Sequence, residues 1–297
     1  MSTKKALHTF VFLLLILSLS GCMTNPNQIH LKSTKEISTL GKACEDIVRL
    51  QIETWDTRDA EKLREIYTDD IVHFDANPSL AGIDKLVETA ANMLKAQQSW
   101  QMAAGKTYTS QEKCLGEWIN WGLLGFTEDN PAVEFDLMET RDGRISFWRL
   151  FYDDNFIFFR IDNDLLTQFG NTWSEYDESA LLEIYAENVT FQDTLFGVDI
   201  EGREGIVDYA DSFFALSQGG SWTLHQAFAE GQATGIYKAD YPYPSSGGIF
   251  SINTTMPDGT NCEVQVAIIL TPDENGKIQA QETFYDADTL IACGWVR

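Results

Sequence analysis

The stretch EIYTDDIVHFD, Glu65–Asp75, returns later in the chain as EIYAENVTFQD, Glu183–Asp193, with the same length, the same opening tripeptide and the same closing Asp. At the constant offset that carries Tyr67 onto Tyr185, and with no gap, Trp55 falls on Trp173, Asp59 on Asp177 and Leu63 on Leu181. Further on, LAGIDKLV (Leu80–Val87) aligns with IEGREGIV (Ile200–Val207), Ser99-Trp100 with Ser221-Trp222, and DGRISFWRLFYD (Asp142–Asp153) with NGKIQAQETFYD (Asn275–Asp286). Four blocks in one order mean a duplicated domain. A period of roughly 120 to 130 residues is too long for a solenoid repeat and matches a small domain with its own core.

Ahead of the repeats, Lys4 and Lys5 precede the apolar run FVFLLLILSL and then Leu19-Ser20-Gly21-Cys22. A short apolar segment that ends in small residues is a secretory signal rather than a membrane span. The pattern resembles the lipobox of bacterial lipoproteins. That resemblance implies a signal peptide over 1–21, a lipidated Cys22 at the mature N-terminus, and a tether over 22–38 that leads from the bilayer to the first domain. The expected location is therefore a lipid anchor on the bacterial membrane, facing the periplasm or the cell exterior.

Composition fits an exported globular protein. Hydrophobic residues make up 44% and aromatics 12%, enough for two real cores, and the formal charge of −24 disfavours nucleic acid and anionic membrane surfaces as partners. Neither unit carries a nucleotide, phosphate or metal motif, so no cofactor is expected. The four cysteines after Cys22 allow three pairings, of which Cys44 with Cys114 and Cys262 with Cys293 would stay inside single domains.

The local patterns order the elements alike in both units. Ala43, Ile47, Val48, Ile52 and Trp55 recur at helical spacing, as do Leu166, Phe169 and Trp173. Asp59 and Asp177 are placed to cap a second, short helix, followed by strands at Ile71–Asp75 and Val189–Asp193 and by a third helix over Ile83–Leu94 and Gly205–Leu216. Alternating stretches from Trp100, Trp118, Val133 and Ile145, and from Trp222, Gly248, Glu263 and Ile278, complete each unit as antiparallel strands. Helices first and sheet after is an α+β plan.

In this order the motifs W-x(3)-D-x(3)-L-x-x-(I/L)-(Y/F), the strand ending in Asp, the G-(I/V) helix start and the closing G-K/R-I-x(7)-D strand resemble the nuclear transport factor 2-like superfamily, in its SnoaL-like branch. The resemblance implies two tandem cone-shaped domains, 39–161 and 162–297, each of three helices packed in a curved antiparallel sheet around a mostly apolar cavity. It also implies either a binding role for a small apolar or amphipathic ligand, or cofactor-independent cyclase, isomerase or dehydratase-like chemistry by carboxylate and His. Sheets of this superfamily commonly pair face to face, so the two units are expected to pair within the chain.

Candidate site residues follow from strand parity and from that resemblance. His73 and Asp75 share a face with Ile71 and form a proton-transfer pair in the first unit; Phe191 replaces the His in the second. By the resemblance, Asp75 and Asp193 fall where the family's isomerases carry their general base, and Asp153 and Asp286 where its cyclases carry a general acid. The isomerase tyrosine falls at Gln51 and Phe169, neither a phenol. On the last strand, the apolar parity of Ile145, Phe147 and Phe151 turns Arg149 and Asp153 inward, and that of Ile278, Ala280 and Phe284 does the same for Glu282 and Asp286. Trp55, Tyr67, Trp173 and Tyr185, placed where helices meet sheet, would pack the cores or line the cavities, while Trp148, Leu150, Tyr152 and Tyr285 would face outward as an interface.

Overall fold

A computed structural model of the chain describes residues 29–74, 80–123, 125–153, 163–217, 219–230, 245–256 and 259–297. Cys22, Asp75, the boundary at 161/162 and the Tyr241 end of the YPYPSSGG loop lie outside the described residues.

Helix α1 (Thr34–Asp56) begins at a capping box in which Ser33 Oγ accepts from the Glu36 amide and the Glu36 carboxylate takes the Ser33 amide at 2.7 Å. It starts six residues earlier than the apolar spacing from Leu40 suggests, and the reason is tertiary: Ile37 is buried in the core of the second unit, whereas Cys44, Val48, Ile52 and Trp55 lie in that of the first. Ile29 and Leu31, expected in the tether, also pack on the second core. Gly116 lets α1 lie flat on the sheet, since a Cβ there would meet Val48 Cγ2 at 2.3 Å.

The predicted second helix is a 3-10 turn (Ala60–Lys62) capped by Asp59 and followed by α2 (Leu63–Ile66). Strand β1 (Tyr67–Phe74), the short β2 (Leu80–Ala81), α3 (Ile83–Ala96), β3 (Gln101–Thr109), β4 (Lys113–Trp121), β5 (Ala132–Arg141) and β6 (Arg144–Asp153) complete the first unit. The second repeats the plan: α4 (Asn163–Glu175), α5 (Glu178–Ile184) capped by Asp177 at 2.8 Å from the Ser179 amide, β7 (Tyr185–Asp193), β8 (Val198–Glu201), α6 (Glu204–Ser217), β9 (Ser221–Glu230), β10 (Ser246–Thr255), β11 (Asn261–Pro272), β12 (Ile278–Tyr285) and α7 (Ala287–Ala292). None of the described helices is long and apolar enough to cross a membrane.

Each unit thus sets its helices against an antiparallel sheet, β3–β6 or β9–β12, the expected α+β plan. Its last strand has two neighbours along one edge. The first half of β6 carries β1 in parallel and its end pairs with β9 of the other unit, Asp153 opposite Phe228; β12 likewise carries β7 and pairs Tyr285 with Thr109 of β3. The two sheets therefore close into one ring of eight antiparallel strands. The joins use only the ends of β3 and β9, and the rest of those two strands lies beside α1 and α4.

The ring encloses a core to which both units contribute: Tyr108, Leu115, Phe135, Leu137 and Phe151 meet Phe228, Ile249, Ala267, Ile269 and Phe284, with Phe135 stacked on Phe228 at 4.2 Å. The units pair back to back, as expected, but through these residues. Trp148, Leu150, Tyr152 and Tyr285, expected outward at that interface, instead lie in the helix-facing cores. Disulfides join Cys44 to Cys114 and Cys262 to Cys293, each within one unit.

Candidate functional site in the first cone

The reversal of the last strand has a local cause. In β6, Thr140 pairs with Ile145 but the preceding Glu139 pairs with Phe147, so Ser146 is an extra residue; in β12, Thr271 pairs with Ala280 and Pro272 with Ile278, so Gln279 is the extra one. A β-bulge shifts alternation by one residue and moves everything beyond it to the other face. Ile145 and Ile278 face the helices as expected. Past the bulges it is Trp148, Leu150 and Tyr152, and Gln281, Thr283 and Tyr285, that do so.

Arg149, Glu282 and Asp286 are consequently corrected from cavity-facing to other roles. Arg149 reaches across to the second unit, donating to both Glu230 carboxylate oxygens at 3.1 and 2.6 Å and to Ser245 Oγ at 2.8 Å. Glu282 accepts from Lys113 Nζ of the first unit at 2.5 Å. Asp286 has left the strand and caps α7, accepting from the Thr289 amide at 2.9 Å. Asp153 is buried on the inter-unit face opposite Phe228, away from His73.

His73 keeps its predicted direction. It shares the buried parity of Ile71 while Val72 between them is exposed, and the pairing of β1 with β6 lays its ring on Trp148, 4.1 Å between centroids. Burial pushes the imidazole down to about 3, so at neutral pH it is uncharged. Trp55 touches Trp100, Trp118 and Trp148 at 5.8, 6.4 and 5.8 Å, giving four indoles in one cluster. Below them Tyr67 Oη accepts from Gln51 Nε2 at 2.8 Å and from Trp55 Nε1 at 3.3 Å. Gln51 thus supports a tyrosine from another element.

Two carboxyl groups missed in the sequence share this cone. On β5, Val133, Phe135 and Leu137 face the inter-unit core, so Glu134 and Asp136 face the helices, Glu134 opposite Trp118 and Tyr152 and Asp136 opposite Gly116 and Leu150. Asp136 is wholly buried and Glu134 is 9% exposed. Both act through space on the Tyr67 phenol, adding to the burial that raises its titration. The strand register equates them with Ile268 and Val266 of the second unit, since Leu137 faces Arg149 as Ile269 faces Glu282. Only the first cone has acids at this level.

Five buried polar atoms in the first cone have no hydrogen-bond partner among the described residues: both ring nitrogens of His73, the Nε1 groups of Trp118 and Trp148, and Gln51 Oε1. Each such atom costs about 1–3 kcal/mol unless something meets it.

The second cone is organised differently. The indole-to-phenol bond recurs, Trp173 Nε1 to Tyr185 Oη at 3.1 Å, and Tyr185 donates onward to Gln281 Oε1 at 2.5 Å. Asp193 is fully buried and its Oδ2 accepts from Tyr209 and Tyr285 at 2.6 and 2.7 Å. Burial pushes this carboxyl up to about 6, against the opposing pull of the two phenols and the Phe196 amide. Phe191, in place of the His, packs 4.7 Å from Tyr209. Among the described residues no group of three or more His, Cys, Asp and Glu could hold a metal ion.

The family profile described as SnoaL-like domain matches the chain twice, over residues 48–148 and 166–281. No curated protein matches it. Solved structures similar to it include a hypothetical protein of ketosteroid isomerase-like fold from Catenulispora acidiphila in complex with trimethylamine, at 17% identity, covering 46% of this chain and 96% of that one with a TM-score of 0.37. A putative polyketide cyclase from Sinorhizobium meliloti matches at 19% identity over 35% of this chain and 93% of its own, TM-score 0.31. A Mycobacterium tuberculosis protein in complex with estradiol-17beta-hemisuccinate matches at 15% identity over 42% and 94%, TM-score 0.34.

Proposed function

Because the chain belongs to the SnoaL-like domain family in both of its halves, we propose that it is a cell-envelope lipoprotein whose first domain holds a small amphipathic molecule in its cone. The observation that carries this reading is the set of orphaned polar atoms of His73, Trp118, Trp148 and Gln51 inside an aromatic wall. Indole faces suit an apolar body, and the two indole N–H groups suit a hydrogen-bond acceptor on it. Native mass spectrometry of the full chain purified from its own envelope tests the idea: a bound molecule should be retained by the wild type and lost from Trp148→Ala. Retention by that variant would remove the first cone from the reading.

The export half of the proposal places the anchor at Cys22, the domains at 39–161 and 162–297, and the protein outside the cytosol. Two disulfides within the units support an oxidising compartment. Cys22→Ala should leave the chain unprocessed and without lipid. Cytosolic wild type in a fractionation would end the proposal.

A second reading, acid–base catalysis, is favoured by a neutral imidazole in a cone that also holds Glu134 and Asp136. In it His73 is the proton carrier, Asp75 keeps its sequence-based candidacy, and the carboxyls of β5 take the place proposed for Asp153.

A further inference from the structure

We infer that the molecule held in the first cone carries a protonated amine, its ammonium set among the indole faces of Trp55, Trp118 and Trp148 and facing Glu134 and Asp136. The inference rests on reading that cone as a binding site and names the chemistry of its ligand.

Two independent features favour a cation there. Carboxyl groups inside a low-dielectric cone set a negative potential that solvent screens little. The faces of aromatic rings carry the same sign, and four indoles meet here with Trp55 in contact with the other three at 5.8 to 6.4 Å. The second cone shares the aromatic floor but has Val266 and Ile268 where the acids stand, so the acids are no requirement of the fold.

The orphaned atoms fit a protonated amine better than a quaternary one. His73 is 93% buried by its 7% exposure, aims into the cone, and has both ring nitrogens without a partner. Held neutral by burial, it adds no positive charge to repel a cation, and its unprotonated nitrogen accepts an N–H. Gln51 Oε1 is a second acceptor, fixed because the Nε2 of the same amide is committed to Tyr67. A quaternary ammonium has no N–H to offer either of them.

The test compares three probes of equal chain length, hexylamine, hexan-1-ol and hexanoate, binding to the full chain at pH 7 and physiological salt, followed by tryptophan fluorescence and calorimetry. Hexylamine should bind at least about tenfold more tightly than hexan-1-ol, with hexanoate weakest. The pair Glu134→Gln and Asp136→Asn, isosteric and so expected to keep the fold, should abolish the preference; a thermal melt checks folding, and the probe ranking on the wild type stands as a readout even if the pair does not fold. A preference that survives the folded pair would assign it to the acidic surface and overturn the inference. Equal binding of amine and alcohol, both lost in Trp148→Ala, would overturn the amine while leaving the binding site. No binding of any probe that depends on Trp148 would remove the site as well.

Discussion

Two buried groups, one in each cone, give the protein opposed responses to acid. His73 titrates near 3 in the folded chain against an ordinary value of 6.5, so between those limits the unfolded state binds more protons and stability falls as pH is lowered. Asp193 titrates near 6 against 3.8, so the folded state binds more protons in that window and stability falls as pH is raised. Over about pH 4 to 6 the two slopes cancel, each being about 1.4 kcal/mol per pH unit. Asp193→Asn should therefore expose the imidazole's contribution, with stability dropping more steeply than wild type as pH falls from 6 to 4. His73→Gln should do the reverse, its stability relative to wild type improving by about 2 to 2.5 kcal/mol over the same descent. Denaturant melts of the three proteins at pH 4, 5 and 6 decide; parallel curves would mean that neither group is buried in solution as it is here.

At the scale of elements, single extra residues decide which side chains meet. Deleting Ser146 should leave strict alternation in β6 with Trp148, Leu150 and Tyr152 still on the cone side, because it removes only the residue that has no partner on β5. The near-ultraviolet circular dichroism of the indole cluster should survive that deletion, and its collapse would show that Ser146 is not the residue in excess. Much of the fold was legible beforehand, because Asp59 and Asp177 declare their caps, the apolar spacing of α1 declares its buried face, and the duplicated blocks declare two units. The site was less so. Ser146 and Gln279 carry no bulge signature, so counting by twos from Ile145 and Ile278 put Arg149 and Glu282 on the wrong face. Glu134 and Asp136 were hidden by a different cause: Val133, Phe135 and Leu137 read as a core-facing set, and they do face a core, but it is the one between the units. Periodicity shows that a strand has two kinds of face without showing which encloses a ligand. His73, before the bulge and on a strand with one exposed face, was read correctly for direction.

At the scale of the molecule, closure of the eight-strand ring gives each unit an apolar back that only the other covers. Residues 34–153 produced alone should leave Phe135, Leu137 and Phe151 uncovered, and at about 25 cal/mol per Å2 of apolar surface such a face is costly in water. The fragment should dimerise or aggregate, whereas the whole chain melts in one transition. A monomeric fragment with the melting temperature of the whole chain, measured by light scattering and calorimetry, would show that the shared core contributes little. The ion pairs Arg149 to Glu230 and Lys113 to Glu282 cross the same junction with both cations on the first unit and both carboxylates on the second, so that each unit recognises the other rather than itself.

The route taken by residues 29–37 bears on the timing of synthesis. The His30 amide donates to the Phe196 carbonyl, Arg297 donates to the Lys32 carbonyl, and Ile37 is sealed in the second core. Residues 29–37 are therefore among the later parts of the chain to find their place, since their berth includes Phe196 and Arg297, which are made long after them. Until Phe196 has been made the His30 amide has no carbonyl to meet, and until Arg297 has been made the Lys32 carbonyl lacks its donor.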